Sequence, residues 1–341
     1  MNENQRISVP FNSRAWDHID TLTQDDRDTL AHFHLSALNQ RLTAPQIGKI
    51  LGYDRTTAHK IVSGTYTAKK WDNILLRIRE HNSRGNLPIV GMGGVTYEPA
   101  FVETAPARTY LQAIDYASRG GFSLIAGESG SGKNKTAHHW ASQHHGRLLP
   151  VTAPPLGAAT GIVHEMAERI GMSHARTSVA RVYRGLRTKL NSRIIIWVDE
   201  AGRLLPNRKN PKAPGLEVLR DLSDEIGCGV VVNMTWRNVE SMSHLAYQIE
   251  QTVSRAEIFR APQIQPDQVR AIAAQFGEFT DATHAALYDL AISLGGLRNV
   301  TKVLNLALRA SGNDLAKITD QKVAGAIRNR FQRMGGTNPF S

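Results

Sequence analysis

Residues 121–140 read GFSLIAGESGSGKNKTAHHW, which predicts a short apolar strand, a glycine-rich turn and a helix in succession. The turn, residues 127–134, fits the pattern G-x-x-x-x-G-K, with Asn134 where Ser or Thr is usual. A strand before this pattern and a helix after it are the context in which such a loop binds phosphate. The stretch therefore predicts a P-loop.

The predicted nucleotide site is this loop with the start of the following helix. Glycines let the backbone N–H groups converge on phosphate oxygens, and Lys133 supplies a charge to the outer phosphates. The candidate nucleotide-binding residues are Gly127, Glu128, Ser129, Gly130, Ser131, Gly132, Lys133, Asn134 and Lys135. We expect ATP as the ligand.

The departure at Asn134 concerns the metal. A hydroxyl at this position normally ligates Mg²⁺, and an amide oxygen is a less well placed substitute. Thr136 lies two positions further on and should point to another face of the helix. Mg²⁺ binding by Asn134 is therefore expected, while the rate of hydrolysis is left open.

A second motif, RIIIWVDEA, covers residues 193–201 and places an acidic pair at the end of an apolar strand. Asp199 would hold the Mg²⁺ hydration shell, and Glu200 would polarise the attacking water. Such a run is a weak signal alone. It is a strong signal about 65 residues after a P-loop.

Negative charge develops on the γ-phosphate during hydrolysis, and polar and cationic groups near it lower the barrier. The strand CGVVVNMT, residues 228–235, ends in Asn233 and Thr235, which suit contact with the water or the γ-phosphate. Arg255 and Arg260 follow a helical stretch, and Arg298 stands at the start of a helix in GGLR. A surface salt-bridge role remains open for each arginine.

The remaining chain predicts an α/β fold in which a parallel sheet is covered by helices. Residues 101–262 form the predicted ATPase core, with four strands separated by helical stretches. Residues 263–341 are helical throughout and read as a lid or C-terminal domain. Residues 1–82 form a helical N-terminal domain whose first 20 or so residues look like a loose arm, and residues 83–100 are a linker rich in Gly and Pro.

Residues 43–65, TAPQIGKILGYDRTTAHKIVSGT, predict two short helices around a turn at Gly52. Thr43 and Asp54 are suited to cap the first and second helix. The second helix would present four residues outward, where a recognition helix meets DNA: Arg55, Thr56, His59 and Lys60. A small helical adaptor that binds protein is the alternative.

The chain of 341 residues has a net charge of +11 and suggests a polyanionic partner, because cationic faces displace counterions from phosphates. Residues 169–212 contain 11 Lys and Arg against two acidic residues. The candidate DNA contacts in the core are Arg184, Arg187, Arg203, Arg208, Lys209 and Lys212. Plain solvation of these charges is the alternative.

The single cysteine and the absence of an apolar N-terminal segment favour the cytoplasm of a bacterium or a phage-infected host. No apolar run approaches the length that a membrane helix needs. We therefore expect no membrane partner.

Taken in order, these motifs resemble the AAA+ ATPases of the phage Mu transposition protein B family, from about Thr43 to about Arg330. The resemblance is carried by TAPQIGKILGYDRTTAHKIVSGTY, FVET (residues 101–104), GESGSGK, IIIWVDEA, VSR and GGLRNVTKVLNLALR. It implies an ATPase that assembles as a helical homo-oligomer on double-stranded DNA with little sequence preference. It also implies delivery of that DNA to a DDE transposase, which stimulates hydrolysis and release.

The resemblance assigns roles by position. Lys133 becomes the P-loop lysine, Thr235 the sensor residue and Arg298 the lid arginine, while Arg255 acts in trans as an arginine finger. Asn134 stands where relatives carry Thr, which suits a slow or transposase-dependent ATPase. Two other functions stay open: a transcriptional regulator switched by ATP, and a helicase or clamp loader of the AAA+ type.

Overall fold

The computed structural model describes residues 9–40, 42–67, 71–84, 90–91, 94–95, 97–144, 147–155, 158–174, 176–206, 213–244, 254–293 and 295–333. The chain divides into two compact units. The first unit comprises Met1–Gly85, Gln112–Ala126 and Ala137–Phe259. The second unit comprises Asn86–Leu111, Gly127–Thr136 and Arg260–Ser341.

The described α-helices follow in chain order: α1 (Gln24–Asn39), α2 (Ala44–Leu51), α3 (Arg55–Ser63), α4 (Asp72–Arg84), α5 (Ala105–Ser118), α6 (Lys133–Gln143), α7 (Ala159–Arg169), α8 (Val179–Lys189), α9 (Pro214–Ile226), α10 (Trp236–His244), α11 (Pro266–Ala273), α12 (Asp281–Ile292), α13 (Gly296–Ala310) and α14 (Asp320–Arg333). The strands are β1 (Val90–Gly91), β2 (Gly94–Val95), β3 (Phe122–Ala126), β4 (Leu148–Thr152), β5 (Ile195–Asp199), β6 (Gly229–Met234) and β7 (Ala256–Arg260). Two 3₁₀ turns span Ala201–Leu204 and Leu315–Lys317.

The main sheet has the strand order β4-β5-β6-β3-β7. Strands β4, β5, β6 and β3 pair in parallel, so their carboxyl ends share one edge. Strands β3 and β6 are buried along their whole length, as expected for a parallel sheet covered on both faces. The four predicted strands and the α/β fold class are confirmed.

Strand β7 was not predicted. Its residues are only half-buried or exposed, so Ala256–Arg260 lacks the continuous apolar run that marks the other strands. The sequence shows this segment only as residues that follow a helical stretch. Its place beside β3 is a tertiary contact.

The helices α2 and α3 form the predicted pair around a left-handed turn at Gly52. Asp54 Oδ1 accepts hydrogen bonds from the backbone N–H groups of Thr56 and Thr57, and Thr43 caps α2 with Gln46. Both predicted caps are therefore present. Recognition of DNA by α3 remains a proposal.

The N-terminal arm is not loose after residue 9. Phe11 and Trp16 are buried, and Trp16 Nε1 donates to the carbonyl of Ile61 at 3.0 Å. The backbone N–H of Phe11 donates to the carbonyl of Ile170 at the end of α7. One hydrophobic core therefore joins the N-terminal helices to the sheet within the first unit. The expectation of a loose arm is wrong for these residues, because two large aromatic side chains are buried there.

The C-terminal helices α11–α14 have a separate hydrophobic core in the second unit. The segment that precedes α5 is fixed to them by side-chain amides. Asn305 exchanges two hydrogen bonds with the backbone of Tyr97, and Gln275 does the same with Ala100. Among the described residues, none of the helices has the length and apolar character to cross a membrane.

Candidate nucleotide site

The P-loop follows β3 and ends in the first turn of α6, as its sequence predicted. Gly130 and Gly132 have φ of 80° and 94°, a left-handed backbone that favours glycine. Lys133 begins α6, and its Nζ donates to the carbonyls of Gly127 and Glu128 at 2.9 Å each. The ammonium therefore lies inside the curve of the loop, where it can bind a phosphate.

Tyr110 of α5 supports the loop. Its side chain is fully buried, and its hydroxyl lies 2.6 Å from Ser131 Oγ. A Cβ added at Gly127 would lie 2.4 Å from the same hydroxyl, so any side chain there would have to displace Tyr110. Burial raises the pKa of Tyr110 to about 12, which keeps it a neutral hydrogen-bonding group. The sequence does not reveal this role of Tyr110, because nothing local to α5 indicates which loop its hydroxyl reaches.

The start of α6 contains Asn134 and Thr136, the two residues considered as ligands of Mg²⁺. Asn134 is exposed in the first helical turn. Thr136 is 1% exposed, and its Oγ1 donates to the carbonyl of Gly132 at 3.0 Å. Thr136 is therefore turned away, as its spacing predicted. Amide and carboxylate oxygens such as those of Asn134 and Asp199 are ligands that Mg²⁺ accepts.

Lys135 serves the scaffold. Its Nζ donates to the carbonyl of Pro99 at 2.5 Å and lies 4.0 Å from a Glu98 carboxylate oxygen. Partial burial lowers the pKa of Lys135, and the charge of Glu98 acts in the opposite direction. Its predicted role in nucleotide binding remains untested, but its ammonium is held by the segment before α5.

The acidic pair ends β5 in the first unit. Asp199 is half-buried, and its Oδ1 accepts a hydrogen bond of 2.9 Å from the backbone N–H of Glu200. Glu200 is exposed and has φ of 55°, a left-handed conformation that strains a residue with a side chain. Arg203 lies 3.9 Å from the Glu200 carboxylate and donates to the carbonyl of Ala153 at 3.0 Å.

The end of β6 places Asn233 beside this pair. Asn233 is 1% exposed, and its Nδ2 donates to the carbonyl of Val198 at 3.0 Å, directly before Asp199. Its Oδ1 has no hydrogen-bond partner among the described residues, which is costly for a buried polar atom. Thr235 is half-buried, and its Oγ1 accepts a 3.4 Å hydrogen bond from the backbone N–H of Asn238 in α10.

The predicted arginines lie in different settings. Arg255 pairs with Asp224 of α9, and both side chains are about half exposed. Arg260 ends β7 and is exposed. Arg298 is exposed in the first turn of α13, in the same unit as the P-loop.

The first unit also carries two exposed basic helices. On α3, the exposed residues are Arg55, Thr56, His59 and Lys60. On α8, they include Arg181, Arg184 and Arg187, of which Arg187 pairs with Glu225 at 2.7 Å. The predicted DNA contacts Arg208, Lys209 and Lys212 lie outside the described residues.

The N-terminal arm connects these two helices. Ser13 Oγ donates to the carbonyl of Lys189, the last residue of α8, at 2.8 Å. Three residues later, Trp16 bonds to Ile61 near the end of α3. Arg14 is exposed between these two anchors. The arm therefore contacts the carboxyl-terminal part of each helix, and the exposed Arg14 lies between these two contacts in the chain.

Comparison with known proteins gives a matching protein family and a relative. Residues 115–240 match the protein family described as AAA domain. The Mu-like prophage FluMu DNA transposition protein B of Haemophilus influenzae is 29% identical over 136 residues, which are 39% of this chain and 45% of that protein. The match thus spans less than half of that relative.

A solved structure shares the fold. The crystal structure of Cdc6p from Pyrobaculum aerophilum has a TM-score of 0.50 at 15% sequence identity, and the match covers 65% of each chain. At this identity the likeness concerns the fold alone. The AAA domain match and the P-loop fold together support ATPase activity.

Proposed function

We propose that this chain, which contains an AAA domain and is related to a Mu-like DNA transposition protein B, is an ATPase that binds duplex DNA when it holds ATP and serves DNA transposition. The observation that carries the proposal is the shared carboxyl edge of the parallel sheet. There β3 leads into the P-loop, β5 ends in Asp199, and Asn233 lies at the end of β6.

ATP is expected on the P-loop, with Lys133 on its outer phosphates. Asn134 and Asp199 are the candidate ligands of Mg²⁺, which would neutralise phosphate charge when bound. Glu200 polarises the attacking water, and its exposed carboxylate at the sheet edge suits that task. Asn233 fixes the backbone before Asp199, and its unpaired Oδ1 is suited to accept a hydrogen bond from that water. Thr235 is the second candidate for this contact.

Arg255 is proposed to act on the nucleotide of the next subunit. In the isolated chain it pairs with Asp224, so assembly has to exchange this ion pair for a phosphate. An exposed ion pair contributes little stability, about 0–1 kcal/mol, and a triphosphate competes with it readily. Arg298 is proposed to contact the same nucleotide as the P-loop that precedes it in the chain.

The basic helices α3 and α8 are proposed as the DNA face, with Arg14 and Lys189 between them. Both helices belong to one unit, and the arm forms a hydrogen bond to each of them near its carboxyl end. Charge contacts to phosphates carry no sequence information, so binding with little sequence preference is expected. Arg203 remains a candidate, although it also contacts Glu200.

Assembly into a helical filament and delivery of DNA to a DDE transposase complete the proposal. Support comes from the sequence resemblance and from the relative, whose name describes DNA transposition. ATP hydrolysis would then release the DNA. The substitution of Asn134 for a hydroxyl residue suits slow hydrolysis, which keeps the protein on DNA until the transposase acts.

The test uses the full chain with long linear duplex DNA and ATP, imaged by electron microscopy and paired with a phosphate-release assay. We expect continuous coating of DNA that is indifferent to sequence. Glu200→Gln should retain coating and hydrolyse ATP about 100-fold more slowly or worse, because the group that activates the water is lost. Lys133→Ala should lose both ATP binding and coating.

Three outcomes would contradict the proposal. One is a chain that binds no ATP, and another is a Lys133→Ala variant that coats DNA as well as the parent. The third is occupancy of a single DNA site by a small oligomer, which would favour a transcriptional regulator.

A further inference from the structure

The P-loop and the start of α13 touch through their backbones. A Cβ added at Gly130 would lie 2.0 Å from the carbonyl oxygen of Gly295. One added at Gly296 would lie 3.0 Å from the carbonyl groups of Ser129 and Gly130. No side chain stands between the two segments, so the contact cannot be relieved by a rotamer change.

Only glycine suits this contact. Gly130, Gly295 and Gly296 have φ of 80°, 98° and 54°, all in the left-handed region. Two glycines in succession at the start of α13 thus give both the turn and the close approach. In the sequence, this pair of glycines marks only the opening of GGLR.

The Gly295–Gly296 turn packs against Asn299, which in turn is hydrogen-bonded to Arg330. Asn299 is buried beneath it, and a Cβ on Gly295 would lie 2.4 Å from Asn299 Nδ2. Arg330 of α14 donates to Asn299 Oδ1 at 3.0 Å. The position of the turn is therefore set by the packing of α13 and α14.

The P-loop is held at two places by this arrangement. Tyr110 contacts Gly127 and Ser131, while the Gly295–Gly296 turn rests on Ser129 and Gly130. Between these supports lie the backbone N–H groups that must converge on phosphate, and their directions follow from the backbone torsions.

We propose that the Gly295–Gly296 turn is a positioning element for the P-loop, through which the C-terminal helices set the affinity for ATP. This role rests on the proposed function and is distinct from that of Arg298, because it requires no side chain to reach the nucleotide. If α13 tilted away from the P-loop, Ser129 and Gly130 would lose this contact, and the affinity of the loop for phosphate would fall.

The test compares three glycine-to-alanine substitutions in the second unit. Gly296→Ala adds a methyl group against the P-loop. Gly312→Ala imposes the same kind of left-handed strain at φ 71°, but a Cβ there meets nothing within 4 Å. Gly325→Ala adds a methyl group in α14 that also meets nothing within 4 Å. The readouts are the dissociation constant of a fluorescent ATP analogue and hydrogen exchange of residues 127–133 without nucleotide.

We expect Gly296→Ala to weaken ATP binding tenfold or more and to speed amide exchange in the P-loop. The two controls should stay within twofold of the parent in both measurements. Equal affinities and exchange rates for Gly296→Ala and Gly312→Ala would overturn the inference.

Asn299→Ala provides a second variant, should Gly296→Ala fold poorly. It loosens the turn without adding bulk and should give a smaller change in the same direction; an unchanged P-loop would count against the inference. Failure of the parent chain to bind ATP would refute the proposed function, while the exchange measurement without nucleotide would still test the turn.

Discussion

At the scale of single residues, the P-loop depends on side chains and backbone atoms that lie far away in the sequence. Lys133 is held by carbonyls of its own loop, but Ser131 is held by Tyr110 from another helix. The tyrosine hydroxyl is buried and remains protonated, so it is a permanent partner for the serine. The contribution of this hydrogen bond to ATP binding can be measured, because substitution by phenylalanine removes only the hydroxyl oxygen of Tyr110.

Tyr110→Phe removes this hydrogen bond and leaves the ring in place. A lost hydrogen bond of this kind costs about 1 kcal/mol, so we expect affinity for ATP to fall about fivefold. Equilibrium titration with a fluorescent ATP analogue measures the change. Tyr183→Phe is the matched control, because it removes a tyrosine hydroxyl that bonds to Glu225 in the first unit. Equal affinity of both variants would show that Tyr110 has no part in shaping the loop.

At the scale of elements, α8 combines a buried face with an exposed basic face. Val182 and Leu186 are buried against the core, while Arg181 and Arg184 point outward. Helix α3 has the same division, with Ala58, Ile61 and Val62 buried. Each helix therefore has its apolar face committed to the core and its charged face available to a polyanion.

Reversing two charges on α8, Arg181→Glu with Arg184→Glu, should weaken duplex binding in the presence of ATP. Each lost phosphate contact lowers the slope of log affinity against log salt by about 0.9, so we expect a decrease of about 2. Fluorescence anisotropy at several salt concentrations provides the measurement. The control carries the same change of charge on the exposed residues Lys302 and Arg328 of the C-terminal helices. A slope that falls equally in both variants would indicate a nonspecific effect of net charge.

At the scale of the whole molecule, the N-terminal arm packs against His34 of α1. The arm also forms hydrogen bonds to the ends of α7 and α8. This side chain is fully buried, and its Nε2 lies 3.1 Å from the carbonyl of Val9. The rings of Phe11 and Trp16 contact it edge-on. Burial lowers the pKa of His34 to about 4, and the charges of Lys189 and His59 act in the same direction.

This burial makes the free energy of unfolding depend on pH. The unfolded chain takes up a proton on His34 near pH 6.5, whereas the folded chain does so only near pH 4. Between these values the unfolded state binds more protons, so stability falls as the pH is lowered, by up to about 3 kcal/mol from this residue. Urea unfolding of the full chain between pH 7 and pH 4 measures the loss.

His34→Gln isolates the contribution of His34. The variant should be less stable than the parent at pH 7, because its packing is imperfect, but its stability should fall less steeply between pH 6.5 and 4. His18→Gln, at an exposed histidine, should leave the steepness unchanged. If the profiles of the parent and His34→Gln run parallel, the arm does not couple pH to the stability of the first unit.

Local patterns in the sequence were enough to predict the P-loop, the acidic pair, four strands of the sheet and the helix pair around Gly52. Each of these is specified by residues close together in the chain: a run of apolar residues for a buried strand, Asp54 for a helix start, glycines for a left-handed turn. Short-range sterics and hydrogen bonding act between neighbouring residues. They are therefore visible in the sequence as apolar periodicity and as residues typical of helix starts and turns.

Tertiary structure alone decided the addition of β7 to the sheet, the burial of the arm around His34, the contact of Tyr110 with Ser131 and the contact of Gly130 with Gly295. The pairing of Arg255 with Asp224 belongs to the same group. These contacts join residues far apart in the chain, and their free energy depends on burial and distance. No local pattern encodes either quantity, because both arise only when the separate elements pack.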